Sequence, residues 1–372
     1  MRIGIVGGGQ LGRMFIQNAL NYGHEIVTLD PDPDAPCSQI SHEFVCADRN
    51  DEEAVYNMGK TCDVVTIEIE NVSVPALKRL EAEGVKVFPQ PRILEMVKDK
   101  GAQKLFYQEL GIPTAPFALV EHKNEIHEHL DLLPVMQKMR VGGYDGKGVT
   151  PIKSAADIEG GFDAPSVLEQ WVDYELELAV LVARNENGEV ASFPVVEQVF
   201  NDEANLVDYL VSPARISPEI EKTARELAEK LISEIDMVGL IAVELFLTKD
   251  GQVLVNEIAP RPHNSGHHTI EACFVSQFDI HMRSILNWPL GDTSLRTPAA
   301  MINLLGEKGY SGPVIYQGLP EAIRVNGVYP HVYGKALTKP FRKMGHVTVV
   351  GGSSEEALEK AKAVKEGIRV IA

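Results

Sequence analysis

A predicted β-hairpin within residues 242–268 constrains this chain more than any other segment does. Its sequence, AVELFLTKDGQVLVNEIAPRPHNSGHH, centres on Asp250-Gly251, a pair typical of a two-residue turn. With these two residues as the loop, counting back along both strands places Glu244 directly opposite Glu257. Opposed residues have Cβ atoms about 5 Å apart, so the hairpin brings together two carboxylates that repel each other.

The residues around this pair indicate a cation site. Val243, Leu245 and Leu247 alternate with Glu244, which predicts one apolar face and one face that carries both acids. Paired carboxylates without a basic cross-strand partner suit a hard cation such as Mg²⁺. A solvated strand face with two tolerated acids is the simpler interpretation of a lone pair. The polar residues after the second strand favour the cation site; they are Arg261, His263, Asn264, Ser265, Gly266, His267 and His268.

Length and composition narrow the class of protein. A chain of 372 residues predicts two or three domains, and 44% apolar with 24% charged residues is typical of a soluble globular protein. The net charge of −18 argues against a nucleic-acid partner. No apolar run approaches the roughly 18 residues that span a membrane, and MRIGIVGGG does not resemble a signal peptide. The four cysteines show no metal-site spacing, so a reducing cytoplasm is the expected location.

The order of predicted elements indicates two kinds of architecture. The first part alternates strands and helices, from Arg2–Val6 onward, which predicts a parallel sheet with helices on both faces. One helix is predicted over Ile93–Leu110, and a strand over Glu189–Gln198. Pro218–Ile235 is the clearest amphipathic helix, with Ser217 as its N-cap. A small β-rich segment follows the hairpin region.

A glycine motif follows the first strand. Gly7, Gly9 and Gly12 form a GxGxxG pattern at the start of a helix, and Asp30 ends the second strand about 20 residues later. The pattern is typical of dinucleotide binding. A phosphorylated substrate at the helix N-terminus, or glycines needed only by the turn, would explain it equally well.

A second glycine-rich loop is a candidate phosphate site. Residues 142–148 read GGYDGKG, in which Lys147 adds a positive charge and the glycines let backbone N–H groups approach an anion. The spacing is not that of a Walker A loop. Lys138, on the strand that leads into the loop, is expected near the same anion. A hairpin tip without function is the alternative for this loop alone.

Acidic and basic clusters complete the motifs. Glu169 and Glu177 flank a linker that could accept hydrogen bonds from an adenine and a ribose. In an otherwise acidic chain, the bases in HVYGK (331–335) and RKMGH (342–346) are a candidate phosphate site.

The order of these motifs resembles the ATP-grasp superfamily over almost the whole chain, and within it the N5-carboxyaminoimidazole ribonucleotide synthase family. The resemblance rests on GGGQLGRM (7–14), IEIENV (67–72), GIPTAPF (111–117), GGYDGKG, NEIAPRPHNSGHHT (256–269) and YGK…RKMGH. It implies an α/β fold of ATP-grasp architecture. The implied domains are an N-terminal Rossmann-like parallel-sheet domain (1–98), an ATP-grasp region (99–292, with a lid at about 113–185) and a small β-rich C-terminal domain (293–372).

The resemblance also implies which residues bind ATP and Mg²⁺. Glu244 and Glu257 would be the metal ligands, with Asn256 beside them, although an ideal ladder directs Asn256 to the opposite face. Lys100 and Lys138 would hold the phosphates, and Glu177 would bind the ribose. Adenine would contact Glu169, Gln170, Trp171 and Val172. The loop that closes over the phosphates would consist of Gly143, Tyr144, Asp145, Gly146, Lys147, Gly148 and Val149.

For the other substrates, bicarbonate and 5-aminoimidazole ribonucleotide, the resemblance implies a separate set of residues. Arg261 and His263 would meet the bicarbonate-derived intermediate and the imidazole, and Asp145 or His263 would take the amine proton. The nucleotide would contact Gln10, Glu70, Tyr144 and Asp145, with Lys335 and Arg342 on its 5′-phosphate.

Two positions depart from the family pattern. Phe200 stands where relatives often carry His, and Lys100 where Arg is common.

The resemblance implies a cytoplasmic homodimer that carboxylates 5-aminoimidazole ribonucleotide at the expense of ATP. The alternatives are a formate-dependent phosphoribosylglycinamide transformylase or another ATP-grasp ligase, an NAD-dependent oxidoreductase, and a non-catalytic nucleotide-binding protein.

Overall fold

The computed structural model describes residues 1–142, 148–201 and 206–372. Five residues expected to close over the nucleotide, Gly143, Tyr144, Asp145, Gly146 and Lys147, therefore lie outside the described residues. Within the described part of the chain, no helix is long and apolar enough to cross a membrane.

The N-terminal unit is the parallel α/β layer that the alternating pattern predicts. Its elements are β1 Arg2–Val6, α1 Gln10–Ala19, β2 Glu25–Asp30, β3 Glu43–Cys46, α2 Glu52–Gly59, β4 Val64–Ile67, α3 Val74–Ala82, β5 Lys86–Val87 and α4 Pro91–Lys98. The strands are parallel in the order β3-β2-β1-β4-β5. The carboxyl ends of β1 and β4 therefore meet at one edge, where the first glycine turn lies.

The predicted helix over Ile93–Leu110 is wrong, because Asp99 divides it into α4 and α5 (Lys100–Glu109). Asp99 has extended backbone angles, and its carboxylate accepts hydrogen bonds from the N–H groups of Gly101 (2.8 Å) and Ala102 (3.2 Å). Arg140 holds the same carboxylate with a 2.9 Å hydrogen bond from Nε. The apolar periodicity continues across the break, which hides this cap in the sequence. The break places Lys100 on the first turn of α5.

A four-stranded antiparallel sheet forms a separate layer, built from β6 Phe117–Val120, β7 Val135–Met139, β8 Val149–Ile152 and β9 Ser166–Gln170 in the order β6-β9-β7-β8. The 3₁₀ helices Lys123–Leu132 and Ala155–Gly160 cover it. Lys138 on β7 lies opposite Val149 on β8 and Val167 on β9. Glu169 lies on the central strand β9, so both side chains come from the interior of this sheet.

A nine-stranded sheet carries the rest of the chain. Its strands are β10 Tyr174–Arg184, β11 Val190–Ser192, β12 Val196–Asn201, β13 Leu206–Ser212, β14 Gly239–Thr248, β15 Val253–Ala259, β16 Ala299–Leu305, β19 Val328–Val332 and β21 Lys343–Val350. Their order is β15-β14-β10-β12-β13-β16-β21-β19, with β11 beside β10. The predicted strand over Glu189–Gln198 is thus two strands, since Phe193-Pro194-Val195 separates them.

The longer strands of the β-rich C-terminal segment continue this sheet, and its short strands form two separate two-stranded sheets. Its first strand, β16, pairs with β13, for example Ile302 with Tyr209, and β21 and β19 follow. The domain boundary predicted at residue 293 therefore lies inside one continuous sheet, and the three domain ranges stay a prediction. The remaining elements are α6 Pro218–Glu234, α7 Thr269–Ala272, α8 Gln277–Ile285, β17 Gly312–Pro313, β18 Ile315–Gln317, α9 Leu319–Ala322, β20 Leu337–Thr338, α10 Ser354–Gly367 and β22 Arg369–Ile371.

Helix α6 covers one face of this sheet, as its pattern predicts. Ser217 accepts a hydrogen bond from the N–H of Ile220 and caps the helix. Ala224, Leu227 and Leu231 are buried in a core with residues of β10 and β14. The packing of α6 therefore fixes the strand from which Glu244 projects.

A carboxylate of the protein occupies the first glycine turn. Glu68, just after β4, accepts hydrogen bonds from the N–H groups of Gly9 (2.7 Å) and Gly12 (3.0 Å) at the start of α1. Asp30 accepts from the N–H of Gly8 at 2.9 Å and pairs with Arg49 at 3.1 Å. The backbone N–H groups that would bind the pyrophosphate of a dinucleotide, and the Asp30 carboxylate that would bind its ribose, thus form hydrogen bonds within the protein. The turn itself therefore accounts for these glycines, and a dinucleotide site does not.

This contact makes a direct prediction about Gly9. A Cβ on Gly9 would overlap the Glu68 carboxylate, so Gly9→Ala should lower the free energy of unfolding by about 1–3 kcal/mol through overpacking. Urea unfolding measures this change. Gly160→Ala is the matched control, because a Cβ there meets nothing within 4 Å. Equal stability of the two variants would contradict the role of Glu68 in the turn.

Candidate active site

The hairpin pairs Glu244 with Glu257 as predicted, but through a different loop. The Thr248 N–H donates to the carbonyl of Gln252 at 2.9 Å, so the loop has three residues and not the predicted Asp250-Gly251 pair alone. Gly251 has φ of +83°, as the left-handed third position of such a loop requires. A bulge between Leu245 and Glu244 then compensates for the extra loop residue, and the two carboxylates come back into register.

The bulge also reverses the expected direction of Asn256. Val255 pairs with Leu245 and Glu257 pairs with Glu244, which leaves Asn256 as the extra residue of β15. Its Oδ1 accepts a hydrogen bond from Lys138 Nζ at 3.2 Å, and Glu257 Oε2 lies 3.5 Å from Lys100 Nζ. Consecutive side chains of one strand therefore both face the cluster of lysines. The prediction that Asn256 faces away is wrong, because an ideal ladder contains no bulge.

Burial and repulsion dominate the electrostatics of the carboxylate pair. Desolvation raises the pKa of Glu244 to about 8, and the charges of Glu257 and Glu177 add to this increase. Among the described residues, no group of three or more His, Cys, Asp or Glu side chains could hold a metal ion. The hairpin therefore offers two carboxylates to a cation. This number suits Mg²⁺, which keeps several waters and substrate phosphates among its ligands.

His263 lies beside this pair as a neutral imidazole. Its Nδ1 accepts from the N–H of Ser265 at 3.4 Å, which assigns the ring proton to Nε2, and Nε2 lies 3.7 Å from Glu244 Oε1. Burial lowers the pKa of His263 to about 3, and the charges of Arg261 and Lys343 reinforce this decrease. The ring can therefore donate a hydrogen bond into the site from Nε2.

The next two histidines are part of the protein core and not of the anion-binding surface that the sequence suggests. His267 and His268 are buried, and burial lowers the pKa of each. The ring of His267 stacks on His346 at 4.6 Å between centroids, and its Nδ1 lies 3.0 Å from Gln277 Nε2. These contacts join the exit of β15 to β21 in the C-terminal segment.

A buried cluster of two lysines and one glutamate lies next to the hairpin. Glu169 lies between Lys138, whose Nζ is 2.8 Å from Oε1, and Lys104, whose Nζ is 2.6 Å from Oε2. Burial opposes the ionisation of Glu169, but the two lysines outweigh it and lower the pKa of this carboxyl. The sequence analysis missed Lys104. Its position four residues after Lys100 was the available signal, since both residues then share one face of α5.

The linker between the two sheets joins β9 to β10. The N–H groups of Gln170 and Trp171 donate to the carbonyls of Pro116 (2.8 Å) and Pro134 (2.9 Å). Burial raises the pKa of Glu177 on β10, and Tyr174 and Lys138 oppose this increase. The predicted adenine and ribose residues therefore line the junction between the sheets, and Val172 lies within it.

The glycine loop re-enters the described chain beside Lys138. Gly148 has φ of +74°, and its carbonyl accepts from the N–H of Met139 at 2.9 Å. Val149 then pairs with Lys138 at the start of β8. This end of the loop is therefore held against the strand that carries Lys138.

The N-terminal and C-terminal segments supply the other predicted residues. Gln10 starts α1, and Glu70 forms a 2.8 Å ion pair with Arg261 Nε. Lys335 Nζ donates to the carbonyl of Lys343 at 2.7 Å. Burial lowers the pKa of Lys335 to about 8, and the charge of Arg342 adds to this decrease.

Lys343 is a second residue that the sequence analysis missed. Its positive charge lowers the pKa values of both Glu244 and His263, which links the C-terminal segment electrostatically to the hairpin. The RKMGH motif contained it, but no pattern distinguished it from Arg342. Lys343 lies at the start of β21, which belongs to the same sheet as the hairpin strands.

Comparison with known proteins identifies the family. An N5-carboxyaminoimidazole ribonucleotide synthase of Bacillus subtilis is 38% identical over 365 residues, which are 96% of this chain and 93% of the relative. One of Staphylococcus aureus is 36% identical over 98% of this chain and 96% of the relative. The chain belongs to the N5-carboxyaminoimidazole ribonucleotide synthase family. It is an ATP-grasp ligase by membership of this family.

Family models and solved structures of the synthase family agree with this assignment. The ribonucleotide synthetase preATP-grasp domain matches residues 1–98, the ATP-grasp domain 105–278, and the phosphoribosylaminoimidazole carboxylase C-terminal domain 299–360. The synthetase structure from Thermotoga maritima has a TM-score of 0.92 and 45% identity, and covers 100% of this chain and 99% of its own. A synthase from Aspergillus clavatus in complex with ADP and 5-aminoimidazole ribonucleotide has a TM-score of 0.89 and 34% identity, covering 98% and 97%.

The repulsion in the hairpin predicts the effect of Glu244→Gln on stability. In a chelator at pH 8 this variant should be more stable than the wild type by about 1 kcal/mol, because it removes a buried charge opposite Glu257. Urea unfolding tests the sign. Glu175→Gln is the matched control, since Glu175 is an exposed strand residue of the same sheet. A lower stability of Glu244→Gln would contradict the assigned repulsion.

Proposed function

We propose that this chain carboxylates the amino group of 5-aminoimidazole ribonucleotide, with consumption of ATP and bicarbonate, in purine biosynthesis. The relatives named above carry the corresponding name, and the Aspergillus clavatus structure holds ADP and 5-aminoimidazole ribonucleotide. The single observation that carries the proposal is the hairpin with its bulge. It sets Glu244, Asn256 and Glu257 against Lys100 and Lys138, an arrangement suited to a metal-bound polyphosphate.

The donor set of the hairpin fits Mg²⁺. Glu244 and Glu257 would hold the ion, and the raised pKa of Glu244 supports this assignment because a nearby cation would offset the repulsion. Bound there, the ion would neutralise charge on the phosphates of ATP during transfer. Asn256 would contribute from the adjacent position of the bulge.

The lysines and the linker would bind the rest of ATP. Lys100 and Lys138 would hold its phosphates, and both have their ammonium groups beside the hairpin. The linker residues Glu169, Gln170, Trp171 and Val172 would bind adenine, and Glu177 the ribose. The loop from Gly143 to Val149 would close over the phosphates, which excludes the water that destroys a reactive intermediate.

The reaction follows from these positions. Bicarbonate attacks the γ-phosphate of ATP to give carboxyphosphate and ADP, a step that needs charge neutralisation and alignment more than a protein nucleophile. Carboxyphosphate splits into carbon dioxide and inorganic phosphate inside the site. The exocyclic amine of the ribonucleotide then attacks the carbon dioxide, and loss of the amine proton gives the carbamate. Arg261, held by Glu70, would bind the anionic intermediate.

His263 would orient this intermediate through its Nε2–H. Its low pKa and its occupied Nδ1 make it a weak proton acceptor, which favours Asp145 for the amine proton. Gln10, Glu70, Tyr144 and Asp145 would contact the ribonucleotide. Lys335 and Arg342 would bind its 5′-phosphate from the C-terminal segment.

The oligomeric state and location are also proposals. The family resemblance supports a homodimer, which light scattering of the purified chain would test. All four cysteines are free thiols, Cys46 exposed and the others buried, which supports a reducing cytoplasm.

The first test is ADP release with MgATP and bicarbonate, in the presence and absence of 5-aminoimidazole ribonucleotide. We expect strong dependence on the ribonucleotide and a loss of at least about 100-fold in kcat/KM for Glu257→Gln, which removes a metal ligand. Glu175→Gln should behave as the wild type. Stimulation by glycinamide ribonucleotide with formate would favour the transformylase instead. Absence of ATP turnover with either nucleotide would contradict an ATP-grasp ligase.

The pKa of Lys335 predicts how activity depends on pH. Lys335 is charged below about pH 8 and loses its proton above it, so kcat/KM for 5-aminoimidazole ribonucleotide should fall as pH rises from 7 to 9.5. Lys335→Arg keeps the charge and should remove most of this decrease. An identical pH profile in both proteins would contradict the assignment. Measuring kcat/KM for MgATP over the same range controls for general loss of activity.

A further inference from the structure

Among the described residues, Lys104 is the most enclosed lysine near the proposed nucleotide site. It lies on α5 and is 4% exposed, and its ammonium forms two polar contacts besides its packing against Tyr107. The first contact is the ion pair with Glu169 Oε2 at 2.6 Å. The second is a 2.5 Å hydrogen bond to Thr114 Oγ1, which itself donates to the carbonyl of Val255 at 2.7 Å. Lys104 is therefore anchored to the residue just before the bulge of β15.

Lys138 approaches the same carboxylate from the opposite side. It contacts Glu169 Oε1 at 2.8 Å and Asn256 Oδ1 at 3.2 Å. Its side chain is 16% exposed, against 5% for Lys104, and both lysines line a small cleft with Lys100, Asn256 and Glu257. Of the two lysines on Glu169, Lys138 is therefore the more exposed toward the space in which phosphates would lie, and Lys104 is the one held by Thr114.

These contacts create a conflict that ATP binding must resolve. If Lys138 turns from Glu169 to a phosphate, it leaves a carboxylate that is 3% exposed. An isolated buried charge is costly, so Glu169 alone would hold Lys138 back. Lys104 removes this conflict because it stays on Oε2, tethered by Thr114, whichever partner Lys138 has.

We propose that Lys104 is a positioning residue that neutralises and orients Glu169, and thereby frees Lys138 to bind the phosphates of ATP. The inference rests on the proposed function, in which Lys138 binds ATP. It gives Glu169 a permanent partner on one oxygen and an exchangeable partner on the other. It also explains why two lysines share one carboxylate at this position.

A double-mutant cycle on nucleotide affinity tests the proposal. We expect Lys104→Met to raise the Kd for MgADP and the KM for MgATP by about tenfold or more, because Lys138 stays paired with Glu169. The KM for 5-aminoimidazole ribonucleotide should change by less than about twofold, since Lys104 contacts none of its proposed residues. Lys104→Arg keeps the charge and should stay within about threefold of the wild type.

The second half of the cycle separates positioning from packing. In the Glu169→Gln background the buried carboxylate that Lys104 neutralises is absent, so adding Lys104→Met should weaken MgADP binding by no more than about threefold. If Lys104→Met costs the same factor with and without the Glu169 charge, or leaves nucleotide affinity unchanged, the proposal is wrong. Should Lys104→Met not fold, Lys104→Gln replaces it in the same cycle, with thermal unfolding to verify each variant.

Calorimetry with MgADP distinguishes this proposal from the proposed function. MgADP binding needs no ribonucleotide, so the cycle gives a result even if 5-aminoimidazole ribonucleotide fails to stimulate ADP release. That failure would remove the substrate assignment and leave the role of Lys104 intact. If turnover depends on the ribonucleotide as expected but the effects of Lys104→Met and Glu169→Gln are additive, the substrate assignment stands and the proposed role of Lys104 is wrong.

Discussion

The repulsion between Glu244 and Glu257 is the constraint around which the site is built. Two carboxylates on opposed strand positions destabilise the hairpin unless positive charge surrounds them. The protein supplies that charge from several elements, among them Lys100 on α5, Lys138 on β7 and Lys343 on β21, and Arg261 adds to it. None of these lysines cancels the pair completely, since the pKa of Glu244 stays near 8. The site is therefore incomplete electrostatically without a cation, which is the condition expected of a metal-nucleotide site.

In the first glycine turn, a charged side chain of the protein lies where a ligand could bind. Glu68 binds the N–H groups of Gly9 and Gly12 at the start of α1, where a phosphate would bind in a dinucleotide enzyme. A carboxylate and a phosphate make the same demand on the backbone, namely a close approach without an intervening Cβ. The GxGxxG pattern therefore indicates that an anion lies at the helix N-terminus. It does not indicate whether that anion belongs to the protein or to a ligand.

The sequence predicted more of the fold than of the contacts within the site. The parallel strands and the capped helix α6 follow from local periodicity and capping, which act within about 20 residues. The predicted opposition of Glu244 and Glu257 is also observed, because the bulge at Asn256 compensates for the extra residue of the loop. The bulge at Asn256 and the cap at Asp99 were missed because both replace a regular pattern by a single hydrogen-bonded residue. Lys104 and Lys343 were missed for a different reason. Both reach their partners through tertiary packing: the spacing from Lys100 places Lys104 on the shared face of α5 but does not identify Glu169 as its partner.

Lysines from several elements give this acidic chain a basic site. With a net charge of −18, the protein as a whole repels anions such as ATP and bicarbonate. Pairing of β13 with β16 extends the nucleotide-binding sheet into the C-terminal segment, and β21 then presents Lys343 toward the hairpin. Attraction at short range can exceed the repulsion of distant surface charges, which salt screens beyond about 10 Å.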